Sequence, residues 1–431
     1  MPLRRPLVFL AFLLAGPAFA QASGLALIGQ LDPRPGSYSD IWGYVGPDGR
    51  EYALLASWSS GAGLNVIDVT DEVPVLEEFV PVNGNGSDVE YYGHYAYVTS
   101  DGDPTTIIDI ADPENPAVVG TFGPGRHTLS IVGDYLYTNG SGGVRIYRLD
   151  DPENPTFVGQ YDPFYIHDIL VRGDTMYAAG IYGDGIDIVD LSDRSNPVLI
   201  SRFNYPNSGA HNVCSTPDGS YVYVGDEIGD EPWYRIFDVR DPHDVELVGE
   251  IVIDPGEWSH NCHTKDGLLY IAHYSRGIWV FDITDPVHPA QVAYYETGVS
   301  GFGIWTVNPN LPSGKILASD GSRGLLVLEL TAPVASEPEA PEAPEGFALE
   351  AAYPNPFNPS TTLRFSLDRA AEVRLAVYDV AGREVAVVAE GRFAAGRHEA
   401  RFEAGNLPSG LYLARLDADG QAATQRITLL K

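Results

Sequence analysis

The sequence predicts an all-β protein in which a seven-bladed β-propeller, residues 21–331, is followed by a small β-sandwich, residues 347–431. Three observations support this prediction. Alternating apolar and polar positions between Gly, Pro and Asp turns dominate the chain, and no convincing amphipathic helix interrupts them. One strand-and-turn segment recurs seven times. A stretch rich in Pro and Glu then separates these repeats from the last part of the chain.

Residues 1–20 have the three parts of a secretion signal peptide. Arg4 and Arg5 provide the positive start, residues 7–15 form an apolar run, and residues 18–20 place small residues at a cleavage site. As a helix the run would cover roughly 14 Å, whereas a bilayer core measures about 30 Å. The alternative, an uncleaved membrane anchor, is therefore disfavoured, and we expect a mature chain from Gln21 without a transmembrane segment.

The repeated segment is a strand of the type Ile-Val-Asp-Leu that runs into an Asp-Pro turn. Its central position recurs every 39 to 48 residues, at Asp68, Asp109, Arg148, Asp190, Asp238, Asp282 and Glu329. A period in the forties within an all-β chain is typical of a propeller that has one blade per repeat.

Each repeat is expected to supply four strands, as in residues 167–171, 175–178, 186–190 and 198–203. Residues 25–30 resemble a fourth strand without its predecessors, and the last repeat lacks a fourth strand. We therefore predict that the N-terminal segment completes the last blade and closes the ring. The Asp and Asn residues of the Asp-Pro-x-Asn-Pro turns are interpreted as turn formers, with calcium ligands as the alternative.

Charge and cysteine content narrow the function classes. The chain has 59 acidic and 26 basic residues, a net charge of −33, which disfavours nucleic acid and anionic lipid as partners. Cys214 and Cys262 are the only cysteines, so a small disulfide scaffold is excluded. Export would permit one bridge between them, but the sequence does not fix the directions of their side chains.

Residues 332–346 alternate Pro and Glu and are predicted to form an extended linker. Residues 347–431 then resume a strand-like alternation, which predicts the small β-sandwich.

The repeated strand and turn resembles the LVIVD repeat. Residues 21–331 as a whole resemble the bacterial extracellular family called choice-of-anchor B, on account of residues 39–45 and the His-Asn pairs at 211–212 and 260–261. This resemblance implies an extracellular location and a propeller fold. It implies no established enzymatic activity.

Residues 347–431 resemble the C-terminal sorting domain of the type IX secretion system, which has an immunoglobulin-like fold related to FlgD. The matching segments are residues 353–360, 377–383, 396–398 and 407–412. The resemblance implies that this domain engages the type IX machinery and takes the chain to the outer-membrane surface or the extracellular space. The alternative is an ordinary immunoglobulin-like spacer.

Unusual polar residues recur where first strands begin and second strands end, which is one face of a propeller. We predict ligand-binding residues at this channel mouth, namely His127, His167, Asp168, Asn212, Asn261 and Asp320. Imidazoles and carboxylates are also ligands for zinc or iron, and the best-matched predicted metal set is His211, Asp226, His260 and His273. The alternative is that these groups bond the backbone of neighbouring blades.

Two functions from different classes fit these observations, and a structural surface-layer component with no small ligand is a third. The first is a secreted or surface-anchored module that binds an extracellular protein or glycan, with no catalytic residues assigned. The alternative is a metal-dependent hydrolase or lyase, in which Glu227 or Glu257 would act as general base. The six tryptophans are candidates for stacking on sugars or peptides, or for packing between blades. No nucleophile elbow or phosphate-binding loop points to another enzyme class.

Overall fold

The structure, a computed structural model, describes residues 21–331 except 35, 59–60, 229–233, 254–257 and 299–301. It also describes residues 347–430 except 350–351, 353–354, 356, 368, 370, 381, 394–395, 406 and 419. The predicted signal peptide and linker, Trp233, Glu257 and part of the 353–360 motif lie outside the described residues. The chain divides into two compact units between Val334 and Ala335.

The first unit is a propeller of seven antiparallel sheets, confirming the predicted fold class. Two strands open it, β1 (Gln21–Ser23) and β2 (Leu25–Leu31). Blade 1 contains β3 (Ser37–Val45), β4 (Glu51–Trp58), β5 (Gly63–Asp68) and β6 (Val75–Pro81). Blade 2 contains β7 (Val89–Tyr92), β8 (Tyr95–Val98), β9 (Thr105–Asp109) and β10 (Ala117–Phe122).

The next three blades repeat this order. Blade 3 contains β11 (Thr128–Val132), β12 (Tyr135–Asn139), β13 (Val144–Arg148) and β14 (Thr156–Tyr161). Blade 4 contains β15 (Asp168–Arg172), β16 (Thr175–Gly180), β17 (Gly185–Asp190) and β18 (Val198–Phe203). Blade 5 contains β19 (Ala210–Ser215), β20 (Tyr221–Asp226), β21 (Tyr234–Asp238) and β22 (Glu246–Ile251).

The N-terminal strands complete the last two blades. Blade 6 contains β23 (Cys262–Lys265), β24 (Leu268–His273), β25 (Gly277–Asp282) and β26 (Ala290–Glu296), with β1 added as a fifth strand. Blade 7 contains β27 (Ile304–Asn308), β28 (Ile316–Asp320) and β29 (Gly324–Leu330), and β2 is its fourth strand. The predicted closure is therefore confirmed, because Leu25 pairs with Leu330 and Leu31 with Leu325.

The repeated strand is the third strand of each blade. All residues of β5 are buried, whereas residues of the fourth strand β18 are exposed or half-buried. The third strand is covered on both faces by the neighbouring blades, so it is largely apolar, although it also holds buried polar residues such as Asn65 and Asp187, and the core lies between blades. The Asp that ends it accepts a hydrogen bond from a backbone N–H two residues on; Asp109, for example, accepts from the Ala111 N–H (2.9 Å). This confirms a role in the turn.

The first strands line the central channel. They contact one another in the closed order β3, β7, β11, β15, β19, β23, β27 and again β3. Residues at the same position of successive first strands are therefore neighbours around one axis. This arrangement allows a residue pair repeated along the sequence to form two layers around the channel.

The second unit is a sandwich of two sheets. Its strands are β30 (Ala348–Leu349), β31 (Ser360–Leu367), β32 (Ala371–Asp379), β33 (Glu384–Phe393), β34 (Gly396–Glu403), β35 (Gly410–Ala418) and β36 (Gln421–Leu429). One sheet has the order β30-β31-β34 and the other β33-β32-β35-β36, and their apolar faces share one core. The Tyr412 hydroxyl donates to the Pro408 carbonyl (2.8 Å) and fixes the entry to β35.

All regular elements of the described residues are strands. In this part of the chain, no helix has the length and apolar character needed to cross a bilayer.

Candidate functional site

Four histidines lie at one mouth of the channel, in blades 3 to 6. His127 and His167 directly precede β11 and β15, His211 lies in β19, and His260 lies two residues before β23. The pairing of the first two strands in a blade fixes the depth of its histidine in the channel. The His127 N–H donates to the carbonyl of Asn139, the last residue of β12 (2.8 Å). The predicted gathering of imidazoles at one face is thus observed.

The four imidazoles form a continuous row. The ring centroids of His127 and His167 are 4.6 Å apart, those of His167 and His211 are 4.1 Å apart, and those of His211 and His260 are also 4.1 Å apart. These are distances of direct ring contact. The repeated histidines therefore meet one another and do not insert separately between blades.

Two tryptophans close the row into a ring. The Trp305 ring lies 4.5 Å from the His260 ring and 5.7 Å from the Trp58 ring, and Trp58 lies 6.3 Å from His127. Trp58 is the last residue of the second strand β4, and Trp305 lies in a first strand. We call these six side chains the aromatic ring of the mouth.

Further aromatic side chains extend the aromatic ring toward solvent. Tyr165 contacts His167 on one side and Tyr182 on the other, with centroid distances of 6.2 and 5.4 Å. Phe302 lies 5.4 Å from Tyr274 and 6.3 Å from the Trp305 ring. Tyr182 is 71% exposed and Phe302 is 62% exposed, so the mouth presents apolar rings to solvent.

A second layer of polar residues lies deeper in the channel and joins the blades. Asp88 of blade 2 accepts a hydrogen bond from the backbone N–H of Leu129 in blade 3 (2.8 Å). Glu90 accepts one from Ile131 N–H (2.7 Å), again between blades 2 and 3. Backbone N–H groups of first strands that would otherwise lack partners are satisfied in this way.

The predicted residues Asn212, Asn261 and Asp168 belong to this deeper layer. Asn212 donates to the Asp168 carboxylate of blade 4 and accepts from Cys262 N–H of blade 6 (3.0 Å). Asn261 donates to the Thr306 hydroxyl of blade 7 (2.8 Å). The alternative interpretation, bonding between blades, therefore describes these three residues. Their assignment as ligand-binding residues remains a prediction.

Burial dominates the electrostatics of the deeper layer. It raises the pKa of Asp88 and of Glu90 well above the ordinary carboxyl range, and the charge of a neighbouring aspartate adds to both shifts. It also raises the pKa of Asp168 to about 7, against the hydrogen bond from Asn212. Asp40 and Asp88 share a hydrogen bond, and burial raises the pKa of Asp40 as well. Two carboxyls this close share a proton, because both cannot ionise.

Two cavities follow the layers. A small one of about 30 Å³, enough for about one water molecule, lies between the histidines and the deeper layer. A larger one of about 290 Å³ continues down the channel between the first strands and is bordered by Trp42 and His263. The small cavity cannot hold a sugar or a peptide, so a ligand of that size at this end of the channel would bind above it, at the aromatic mouth.

The histidines differ in charge. Burial opposes the charged form of His127, but the hydrogen bond to Asp101 (3.2 Å) and the charge of that carboxylate raise its pKa. Burial lowers the pKa of His167 and of His211 well below the ordinary value, and neighbouring histidines add to both shifts. Burial lowers the pKa of His260 to about 3. The last three imidazoles are therefore neutral, with one nitrogen lone pair each.

Glu227 lies against these neutral imidazoles. Its Oε2 is 3.5 Å from Nε2 of His211 and its Oε1 is 3.9 Å from Nε2 of His260. The Tyr274 hydroxyl donates to Oε1 (2.5 Å) and orients the carboxylate. Burial raises the pKa of Glu227, against that hydrogen bond. Among the described residues, His167, His211 and Glu227 form a group whose possible ligand atoms lie within 4.8 Å of one another.

The other members of the predicted metal set lie elsewhere. Asp226 accepts hydrogen bonds from the Tyr205 hydroxyl and the Gly209 N–H (both 2.8 Å) and forms an ion pair with Arg235. His273 ends β24, is buried, and does not belong to the group around Glu227. The structure thus brings together two of the four predicted ligands, His211 and His260, beside His167 and Glu227.

Asp320, the last predicted ligand-binding residue, lies at the end of a second strand. Asp320 accepts from Ser322 N–H (3.0 Å) and pairs with Arg323 (2.8 Å), so its carboxylate serves the turn after β28. Sequence reasoning assigned no role to Tyr274. Trp58 and Trp305 are two of the six tryptophans predicted as stacking candidates, and both lie in the aromatic ring.

A disulfide joins Cys214 in β19 to Cys262 in β23. It resolves the question that the sequence left open. The bridge connects the first strands of blades 5 and 6 just below His211 and His260. Both cysteines are buried beside Tyr223 and Tyr234 in the core between these blades.

Family comparisons identify the two parts of the chain. The LVIVD repeat matches residues 83–123, 165–205 and 263–297. The secretion system C-terminal sorting domain matches residues 351–429. No curated protein matches the chain.

Solved structures support the propeller fold. The WD40 β-propeller domain of Doa1 matches with a TM-score of 0.55 and 12% identity, covering 72% of this chain and 97% of that chain. A candidate 6-phosphogluconolactonase from Bacteroides fragilis matches with a TM-score of 0.51 and 15% identity, covering 63% and 92%. A candidate 6-phosphogluconolactonase from Bacteroides uniformis matches with a TM-score of 0.50 and 18% identity, covering 62% and 88%. At these identities the likeness shows the fold alone.

The sorting domain implies that the type IX secretion machinery exports the chain. It indicates secretion to the cell surface or the extracellular space. The chain therefore contains LVIVD repeats within its β-propeller and a type IX secretion sorting domain over residues 351–429.

Proposed function

We propose that the propeller is a secreted or surface-anchored binding module that holds an extracellular protein or glycan at the channel mouth. Residues 1–20 would be removed as a signal peptide, and residues 332–346 would space the propeller from the sorting domain. The proposed placement in the choice-of-anchor B family, whose members are extracellular, agrees with this role.

The observation that carries the proposal is the aromatic mouth. The aromatic ring is continuous with Tyr182 and Phe302, which expose most of their surface. Contiguous exposed apolar patches mark interaction sites on soluble proteins, whereas apolar side chains scattered singly over a surface need no explanation. Aromatic faces stack on sugar rings and on apolar peptide side chains, and the polar edges of imidazoles supply hydrogen bonds.

Glycan and protein arrays probed with the purified full chain test this proposal. We expect Phe302→Ala and Tyr182→Ala each to weaken binding of the array ligand by about 10-fold, the usual cost of removing a central aromatic contact. Phe157→Ala is the matched control, because Phe157 is 50% exposed and contacts Tyr147 in blade 3, away from the mouth.

Unchanged binding in both mouth variants would contradict the proposed binding face. So would the absence of any ligand on arrays that cover bacterial, plant and animal glycans together with extracellular proteins. A passive surface role would then explain the exported propeller better.

A further inference from the structure

The aromatic ring contains a polar group that stacking does not explain. The carboxylate of Glu227 and the imidazoles of His167, His211 and His260 converge at one side of the mouth. Glu227 follows β20 of blade 5, and the three histidines come from blades 4, 5 and 6. Three blades thus direct nitrogen and oxygen ligands toward one point.

Two of these imidazoles have an unsatisfied nitrogen. His167 is 7% exposed and His211 is 2% exposed, and Nδ1 of each has no hydrogen-bond partner among the described residues. Buried polar atoms in native proteins are usually satisfied, and these two adjacent nitrogens are among several buried side-chain atoms of the described residues that have no partner. In the deeper layer Asn212 is bonded on both sides, whereas Oδ1 of Asn261 has no partner among the described residues.

His260 has the tautomer that a metal ligand requires. Its Nδ1 donates to the Trp305 carbonyl (2.6 Å), so Nε2 carries the lone pair. That lone pair lies 3.9 Å from Glu227 Oε1. Two electron-rich atoms at this distance repel each other unless a proton or a cation lies between them. A ring N–H held by a backbone carbonyl is the usual outer support of a metal-bound histidine.

We propose that His167, His211 and Glu227 bind a divalent transition-metal cation such as Zn²⁺ at the channel mouth, with His260 as a fourth ligand. Two imidazoles and a carboxylate are a common protein set for zinc and ferrous iron, and hard cations such as Ca²⁺ prefer oxygen ligands alone. Neutral imidazoles and one carboxylate give the ligand set a charge that suits a divalent cation.

The spacing fits such an ion. Tetrahedral zinc with bonds of 2.0–2.1 Å separates its ligand atoms by roughly 3.4 Å. His211 Nε2 and Glu227 Oε2 are 3.5 Å apart, and the ligand atoms of the whole trio lie within 4.8 Å. Side-chain rotations that close the remaining distances by about 1 Å would complete the site. This proposal is independent of the proposed protein or glycan ligand.

The test is metal binding by the full chain, produced without a polyhistidine tag and stripped with a chelator. Isothermal titration with Zn²⁺ should give one tight site, Co²⁺ should give visible absorption typical of nitrogen and oxygen ligands, and Ca²⁺ should not compete. His211→Ala and Glu227→Gln should each weaken Zn²⁺ binding by at least about 100-fold, a loss at the upper end of what changes in the outer shell produce.

His94→Ala and His288→Ala are the matched controls, because both histidines are exposed, each beside an aspartate and far along the chain from the mouth group. Glu227→Gln preserves the shape of the side chain, so it tests the site even where His211→Ala fails to fold. Absence of Zn²⁺ binding by the wild type, or binding that only the control variants weaken, would overturn the proposal. Array binding that persists after chelation would leave the proposed function intact.

Discussion

The two layers of the channel are built from neighbouring residues and behave differently. In the pairs His167-Asp168, His211-Asn212 and His260-Asn261, the second residue lies in the deeper layer and bonds an adjacent blade. The first residue lies in the aromatic ring, where two imidazoles retain an unsatisfied Nδ1. One repeated dipeptide therefore supplies both a structural layer and a candidate binding layer.

This difference teaches that repetition alone does not identify function. Each pair is duplicated with its blade, and both members recur equally often. Their hydrogen-bond partners differ in part, because Asn212 is bonded on both sides, whereas Nδ1 of His167 and of His211 has no partner among the described residues. Substitutions in the deeper layer should therefore lower the unfolding free energy more than they weaken binding. Substitutions in the aromatic ring should weaken binding more than they lower the unfolding free energy.

The largest effect should come from the bridge below the layers. Changing Cys214 and Cys262 together to Ser removes a disulfide that closes a loop of 48 residues, which stabilises by about 4 kcal/mol in the chain-entropy treatment. Denaturant unfolding should show this loss, while zinc binding to the folded protein should persist. A double variant as stable as the wild type would contradict the structural role of the bridge.

Asn212→Ala should have the next largest effect. It removes the partner of the buried Asp168 carboxylate and of Cys262 N–H, which should cost about 2–4 kcal/mol of unfolding free energy. His211→Ala should cost less, because its nitrogens make no short hydrogen bond in the described structure. Calorimetry of both variants measures the contrast. Equal losses of unfolding free energy in the two variants would contradict the proposed difference between the layers.

The deeper layer should also give stability a particular pH dependence. Since burial raises the pKa of Asp40, Asp88 and Glu90, the folded state holds protons that the unfolded chain releases above about pH 4. This contribution favours the folded state most below about pH 4, and it is lost as the pH rises through the folded-state values.

Asp40→Asn should reduce that dependence by about 1–2 kcal/mol between pH 4 and 7, because the charge beside Asp88 disappears while a hydrogen bond remains possible. Asp150→Asn, at an exposed carboxylate paired with Arg148, serves as the control and should leave the slope unchanged. Chemical unfolding across this range measures the slope. An Asp40 variant with the wild-type slope would show that the pair does not share a proton.

The smallest effect should come from Tyr274→Phe. The substitution removes the hydroxyl that orients Glu227 and leaves the ring contacts with His260 and Phe302 in place. Zinc affinity should fall by about 10-fold, the effect typical of an outer support, with little change in unfolding free energy. Unchanged affinity with lowered stability would assign Tyr274 to packing alone.

The sequence predicts the fold well because the residues that repeat with each blade are those that the structure of a blade requires. A third strand buried on both faces is largely apolar, and the Asp that ends it in five of the seven repeats serves the turn, so most blades repeat both features. The closure by residues 25–30 follows from the same counting of strands. The sorting domain is recognisable from its turns and short strands.

The site is predicted only in part. The direction of the predicted strands is enough, from the sequence alone, to place His127, His167, His211 and His260 at one mouth. The sequence does not show whether a second-strand residue turns inward or toward its own blade, and Asp226 turns to Arg235 and Tyr205. Glu227, one residue later, faces the imidazoles instead. Side-chain direction at a strand end depends on local twist, which the residue pattern does not encode.

The most direct test of the account is anomalous diffraction at the zinc edge from crystals of the full chain grown with Zn²⁺. The account predicts a peak at the channel mouth about 2.0–2.2 Å from an imidazole nitrogen of His167, one of His211 and a carboxylate oxygen of Glu227. A mouth without a peak at saturating zinc, or a peak held by Asp226 or by exposed histidines alone, would contradict it.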